Sequence, residues 1–240
     1  MSLPWFHVEA LPEPGDAVSL DKHEAKHAAG PRRLGPGDEV VLFDGRGHKA
    51  RGRIGGRDER GGIEVEVEDH EVEAPESPRI ALAASLPKGD RLSTMLDMAT
   101  QLGILAFQPL HCDFSVITLD RKRQDPTDRW NRIMMEACKQ SRRAMLPAIL
   151  PQARPLEVVA EAAARGATVL VGDPQGRPIG ELPSLQDVVI LVGPEGGFSP
   201  SEHRAILDAG AIPARVGLGT LRVETAAAAM VAGCRAAAST

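Results

Sequence analysis

The sequence predicts a two-part α/β protein, a small β segment followed by a larger segment built on a parallel sheet. Three observations predict this. The first seventy residues carry hairpin and alternation patterns, and the acidic, proline-containing stretch EVEAPESP (71–78) that follows has no periodicity and reads as a linker. From residue 80 onward, short apolar runs alternate with apolar stripes at helical spacing, which implies a parallel sheet covered on both faces. A chain of 240 residues, 42% hydrophobic and 25% charged, amounts to one or two ordinary globular domains that bury a core without disulfide or metal staples.

Taken in order, GDEVVLFDGRGHKARGRI (37–54) is an apolar run, an Asp-Gly turn signal and a second short run, as in a hairpin. Ile63 to Glu68 alternates apolar with acidic residues, placing one face on a core and the other in water. Gly55, Gly56, Gly61 and Gly62 read as the turn between these strands. Beyond the linker, Ile80–Ser85 reads as a strand. Leu92, Met95, Leu96, Ala99 and Leu102 read as a helix stopped by Gly103, and Ile104–Leu110 as the next strand. Trp130, Ile133, Met134, Ala137 and Cys138 form a second helical stripe. Leu156–Arg165 is a helix ended by Gly166, while Thr168–Val171 and Val188–Val192 are strands.

Charge is unevenly distributed. The net charge is −5, yet residues 1–77 carry −7 and residues 78–240 carry +2, with +6 concentrated in 121–154. That basic stretch, which includes Arg121, Lys122 and Arg123, reads either as a solvated helix face or as an anion-binding surface. With two Trp, five Phe and no Tyr, a binding surface made mainly of stacked aromatics is excluded. Cys112, Cys138 and Cys234 are odd in number and far apart, without metal-ligand spacing, so a reduced cytoplasmic chain with no metal is expected. The opening MSLPWFHVEALPEPGD lacks the basic and apolar regions of a secretory leader, and no apolar run is long enough to span a bilayer.

Two loops carry the chemical signal. Val188 to Val192 is a buried strand running into Gly193-Pro194-Glu195-Gly196-Gly197, and then into a helix start with Ser199 as N-cap, Pro200 at N1 and Glu202 at N3. Glycines there let backbone approach a ligand closely, at the strand end where open α/β sheets bind ligands. The loop is neither a P-loop nor a GxGxxG fingerprint. In the second loop, Val216-Gly217-Leu218-Gly219-Thr220-Leu221-Arg222-Val223-Glu224-Thr225-Ala226 leads into an alanine-rich helix. Arg222 and Glu224 there offer a cation and a carboxylate to one ligand, or else form a surface ion pair.

GPEGGFSPSE (193–202) together with LRVETA (221–226) resembles the bacterial 16S ribosomal RNA uridine-N3 methyltransferase family, of the SPOUT class. PKGDR (87–91), ATQLG (99–103), RWNRIMMEACKQSRRAMLP (129–147) and the His27…Arg33-Leu34-Gly35-Pro36-Gly37-Asp38…Phe43-Asp44-Gly45 pattern are similar to further segments of that family, so the resemblance spans nearly the whole chain. It implies a PUA-like β-barrel RNA-binding domain over 1–72, a linker over 73–79, and a SPOUT α/β domain over 80–240 whose parallel sheet carries a trefoil knot. It also implies S-adenosylmethionine held by three loops, a homodimer whose partner completes each site, and 16S ribosomal RNA or the small subunit as partner, with no membrane and no metal. Carried onto this chain, the cofactor loops are Leu170, Val171 and Gly172; Val192, Gly193, Pro194, Glu195, Gly196 and Gly197; and Val216, Gly217, Leu218, Leu221, Arg222, Thr225 and Ala226. The RNA-facing candidates are Arg32, Arg33, Lys88, Arg91, Arg132, Gln140, Arg142 and Arg143.

Uridine N3 is a weakly acidic imide that must lose its proton before it attacks, so the reaction needs a base or a cation that stabilises the anion. Arg222 is the candidate for that stabilisation, oriented by Glu224. The chain departs from the family pattern at Met98, Gln101, Phe114, Arg142 and Gly219, where Lys, Glu, Arg, Gly and Arg are usual. These departures leave open a second reading, an RNA-binding homologue that is inactive or methylates a different RNA.

Overall fold

The computed structural model describes residues 3–30, 32–57, 62–74, 76–117, 119, 125–183 and 185–238. They fall into two units, residues 1–75 with 135–146, and residues 76–134 with 147–240. Gly61, Pro75, Arg121, Lys122 and Arg123, singled out in the sequence, lie outside the described residues.

The first unit is one mixed sheet wrapped around one core. Its strands are β1 (Trp5–His7), β2 (Ala17–Ser19), β3 (Glu39–Phe43), β4 (His48–Arg57), β5 (Ile63–Val67) and β6 (Glu71–Val72), in the order β1-β3-β4-β5-β2 with β6 on β4. Helix α1 (Lys22–Ala29) is capped by Asp21, whose carboxylate accepts from the Glu24 N–H at 2.8 Å. Ile63, Val65 and Val67 point into a core with Phe6, Val40, Leu42 and Ile54, as the alternation requires. The hairpin between β3 and β4 turns on Asp44, which accepts from the Arg46 N–H at 2.7 Å and pairs with the His48 ring at 2.7 Å. Burial works against ionisation of Asp44, but these hydrogen bonds outweigh it and hold the carboxyl below its ordinary range.

Two expectations are corrected in this unit. Gly55 and Gly56 do not form a turn; β4 runs through them to Arg57, with the register shift between Ile54 and Gly56 marking a bulge that a glycine accommodates. Glu71 and Val72 are not linker, because they pair with Lys49 and His48 as a short edge strand, reinforced by a Lys49–Glu71 ion pair at 3.2 Å.

The second unit has strands β7 (Arg79–Ser85), β8 (Ala106–Leu110), β9 (Ala148–Ile149), β10 (Thr168–Pro178), β11 (Asp187–Val192) and β12 (Ile212–Arg215), all parallel, in the order β12-β10-β11-β7-β8-β9. Its helices are α2 (Arg91–Gln101), α4 (Pro155–Ala164), α5 (Pro200–Asp208) and α6 (Val223–Ala238), and α3 (Thr127–Ser141) begins in it. Val169, Val171, Val189 and Leu191 face a cluster with Val158, Val159 and Ala162 of α4 and Ile206 of α5. The intervening strand residues face the opposite side, where α6 packs on α2, β7 and β11. The alanines of α6 let it lie close, and Gly233 is obligatory because a Cβ there would sit 2.7 Å from Ile179 Cγ2. Arg235 pins the helix to the carbonyls of Pro78, Leu102 and Gly103 and to Glu76 at 3.0 Å. No described helix is long and apolar enough to cross a membrane.

The carboxyl half of α3 belongs to the first unit, where Cys138 packs with Phe43 and Ala144. Its end shows why glycine is usual at position 142 in the pattern this chain resembles, and nothing in the structure explains the arginine. Arg142 adopts a left-handed φ of 59°, the conformation for which glycine is usual, and the Arg143 N–H closes back on Cys138 O at 3.0 Å. Lys139 is buried and donates to Glu24 at 2.8 Å and to Glu136 at 2.6 Å. Burial would depress its pKa, but the hydrogen bonds to Glu136 and Glu24 raise it instead. With His23, these carboxylates form the one His/acid cluster at metal-ligand spacing among the described residues, and the lysine already supplies its cation. Cys112 and Cys138 are buried free thiols pushed up to about 12 by burial, and Cys234 to about 11, which disfavours the nucleophilic thiolate at all three.

Replacing Lys139 by Met strands the buried carboxylate of Glu24, and a loss of about 3–5 kcal/mol in urea unfolding is expected. The double variant Lys139→Met with Glu24→Leu should recover most of it.

Candidate functional site

The sheet order determines where a ligand can sit. β12, β10 and β11 are neighbours and parallel, so the loops leaving their carboxyl ends emerge side by side. These loops enclose a cavity of about 550 Å³ whose wall includes Gly172 after β10, Gly193 to Gly197 after β11, and Val216, Gly217 and Leu221 after β12. Val223, Ala226 and Met230 of α6 close its side.

The second loop is built by local signals. Gly197 donates to Pro194 O at 2.8 Å and has a φ of 76°, which closes a tight turn. A Cβ on Gly193 would press on the Phe198 ring at 3.0 Å. Ser199 caps α5 by accepting from the Glu202 N–H at 3.2 Å while Glu202 accepts from the Ser199 N–H at 3.1 Å, with Pro200 at the first helical position. Glu195 is engaged by Arg91 at 3.1 Å, so the residues expected to face cofactor and RNA respectively are paired with each other.

The first loop is longer than the sequence suggests. β10 leaves its partner after Gly172, bulges out, and rejoins β12 at Arg177. Gly176 makes the return possible, since a Cβ there would lie 2.5 Å from the backbone of Pro213 and Ala214. Asp173 of this excursion lines the cavity and meets His203 of α5 at 3.1 Å.

In the third loop Leu218 is fully exposed, Arg222 is exposed, and the Arg222 carbonyl accepts from the Ala226 N–H at 2.7 Å to start α6. The expected orientation of Arg222 by Glu224 is not made. No ion pair joins them among the described residues, because the first turn of α6 carries Glu224 inward, where its Oε2 is buried without a hydrogen-bond partner.

Of the residues expected at the cofactor, Gly172, Val192, Gly193, Pro194, Glu195, Gly196, Gly197, Val216, Gly217, Leu221 and Ala226 line the cavity. Leu170 and Val171 are core residues of β10, and Leu218, Arg222 and Thr225 stand outside the lining. Among the RNA-facing candidates, Arg32, Arg33, Lys88, Arg132, Gln140 and Arg142 are exposed and Arg91 is half-buried in its ion pair. Arg143 is buried, because the left-handed turn at Arg142 directs the chain inward. Asp173, Pro174, Gln175, Phe198, His203, Ala214 and Arg215 also line the cavity and were not anticipated. The run Gly172-Asp173-Pro174-Gln175-Gly176 is itself a turn signal at a strand end and was the legible clue.

A family profile describing an RNA methyltransferase domain matches residues 75–234, and one describing an RNA methyltransferase PUA domain matches residues 20–68. The protein named ribosomal RNA small subunit methyltransferase E from Mycobacterium bovis is 35% identical over 230 residues, covering 93% of this chain and 87% of the relative. Its namesake from Bacillus subtilis is 25% identical over 226 residues, covering 89% and 88%. The crystal structure of ribosomal RNA small subunit methyltransferase E from Neisseria gonorrhoeae bound to S-adenosyl methionine superposes with a TM-score of 0.85 at 26% identity, covering 96% of each chain.

Ser199 also donates to Asp113 Oδ2 at 2.7 Å, tying the loop after β8 to this helix start. Ser199→Ala removes both bonds and should lower stability by about 1–2 kcal/mol in thermal or chemical unfolding, with Ser199→Thr close to wild type.

Proposed function

The chain belongs to the RNA methyltransferase family, and on that premise we propose that it transfers the methyl group of S-adenosylmethionine to N3 of a specific uridine in 16S ribosomal RNA of the small subunit. The observation that carries this reading is the convergence of three strand-end loops on one glycine-walled cavity. The cavity suits the cofactor. Its volume of about 550 Å³ falls within the roughly 300–1,000 Å³ usual for such ligands. Gly172, Gly193, Gly196 and Gly197 leave stretches of its wall without side chains, so backbone can approach adenosine and amino-acid edges.

When bound, S-adenosylmethionine supplies an electrophilic methyl group on a sulfonium. This chain's part is alignment, exclusion of water and stabilisation of the uridine anion. Arg222 lies between the lining residues Leu221 and Val223, exposed at the start of α6, where a guanidinium can hold the negative charge that develops over the uracil ring. Glu224, turned inward, offers a buried acceptor beside the same turn rather than a partner for Arg222.

The profile matches at 20–68 and 75–234 support an RNA-holding PUA-like domain followed by a methyltransferase domain, which we read as 1–72 and 80–240 joined through 73–79, with residues 135–146 packing in the first unit. The exposed Arg132, Gln140 and Arg142 of the basic stretch suit phosphate contacts. We read the protein as a cytoplasmic homodimer whose partner finishes each site. Fully exposed Leu218 and partly exposed Leu221 leave an apolar rim that a single chain does not cover.

The test is methyl incorporation into small subunits from a strain lacking the modification, with the product mapped by mass spectrometry. The expected result is one N3-methyluridine in 16S RNA; no incorporation overturns the reading. Arg222→Ala should cut turnover by about 100-fold or more while cofactor affinity by calorimetry and oligomeric mass stay unchanged. Near-normal turnover removes the role given to Arg222.

A further inference from the structure

Phe114 is the one exposed Phe or Trp side chain among the described residues, in a protein with only five Phe, two Trp and no Tyr. It is 51% exposed, while the other described Phe and Trp side chains are buried or half-buried. A ring standing in water is commonplace at the tip of a loose loop, but this one is held on both sides. On its amino-terminal side, the Asp113 N–H donates to Glu202 Oε1 at 2.9 Å and Asp113 Oδ2 accepts from Ser199 Oγ at 2.7 Å. On its carboxyl-terminal side, the Ser115 N–H donates to Cys112 O at 3.0 Å and Ser115 Oγ accepts from the Cys112 N–H at 2.9 Å. Asp113 is thereby fastened to the capping box of α5, the structure that also ends the glycine turn of the cavity.

The ring stands beside that turn. A Cβ placed on Gly196, which lines the cavity, would lie 3.7 Å from Phe114 Cβ and 3.8 Å from Cδ2. Arg154 forms an ion pair with Asp113 Oδ1 at 3.7 Å, so a half-exposed guanidinium is held by the residue that precedes Phe114. A fixed, solvent-facing ring at the edge of a methyl-donor cavity, with a guanidinium held by the adjoining Asp113, has the chemistry of a nucleobase platform. Every base has a π-face, and unpaired RNA bases are held by stacking on such rings while cations meet their phosphates.

We propose that Phe114 is a stacking platform for an unpaired base of the RNA substrate, holding it over the Gly196 turn, with Arg154 facing the adjoining phosphate. This rests on the methyltransferase reading above. The ring acts as a positioning residue, without part in proton or methyl transfer.

The test pairs kinetics with a readout that needs no turnover. A 16S RNA fragment carrying 5-iodouridine is irradiated with the intact protein and the cross-linked peptide sequenced; attachment at Phe114 is expected. In parallel, Phe114→Ala should raise KM for the small subunit about tenfold or more, with kcat and the calorimetric cofactor affinity little changed. Phe114→Trp should restore KM, which a merely structural role would not allow. Active wild-type protein with no cross-link at Phe114, and with an unaltered KM in Phe114→Ala, overturns the platform while leaving the methyltransferase reading intact. So does a Phe114→Ala protein whose only defect is a changed oligomeric mass, since the ring then serves a protein contact. A cross-link at Phe114 in a protein that transfers no methyl group supports the platform and overturns the reading beneath it.

Discussion

The rest of the structure depends on one constraint, that β12, β10 and β11 lie side by side and point the same way. Their carboxyl-terminal loops begin at Gly172, Gly193 and Val216, well apart along the chain, yet share one sheet edge. Each loop alone is a glycine-containing turn of a common sort. Set together they leave a cavity of about 550 Å³ that none could enclose alone. The strands need no special chemistry for this, only near-continuous apolar character, such as Val188 to Val192, so that both faces accept helices.

Around that edge, rigidity comes from hydrogen bonds at element ends. The Ser199–Glu202 capping box fixes where α5 begins, and hence where the glycine turn stops. Through Asp113 the same two side chains hold the loop after β8. Gly176 returns the β10 excursion against backbone that would exclude any larger residue. A site held by caps and close backbone approaches is pre-ordered before ligand arrives, so little binding free energy goes into ordering it.

The electrostatics separate two tasks. The titratable groups lining the cavity include Asp173 and Glu195, each already matched by a cation or a histidine, His203 for the first and Arg91 for the second. The rest of the wall is mainly glycine backbone and apolar side chains, with polar exceptions such as Gln175 and Arg215, suited to a ligand recognised by its edges. Arg215 in the wall is turned to the Gly217 carbonyl at 3.3 Å, and further cationic groups stand outside the lining, at Arg222 and along the exposed positions of α3, where a polyanion would meet them. The buried Lys139 shows that not every basic residue of α3 belongs to that surface. Its charge is consumed by Glu24 and Glu136, and helical spacing alone does not distinguish it from its exposed neighbours.

What the amino-acid order determined by itself was local. The hairpin at Asp44, the alternation of Ile63, Val65 and Val67, the capping box at Ser199 and the glycine stops at Gly103 and Gly166 each follow from interactions within a few residues, and each stands in the structure where its pattern predicts. The loops after β11 and β12 were legible for the same reason. Tertiary structure decided what those patterns face. It took Glu224 inward and left Arg222 in water, buried Arg143 behind the left-handed Arg142, joined Arg91 to Glu195, and brought Asp173 and His203 into the cavity wall. Spacing along a helix or turn reports direction around one element, whereas a partner or an exposure depends on which strand is laid beside which. That order is a property of the whole sheet, and no window of neighbouring residues contains it.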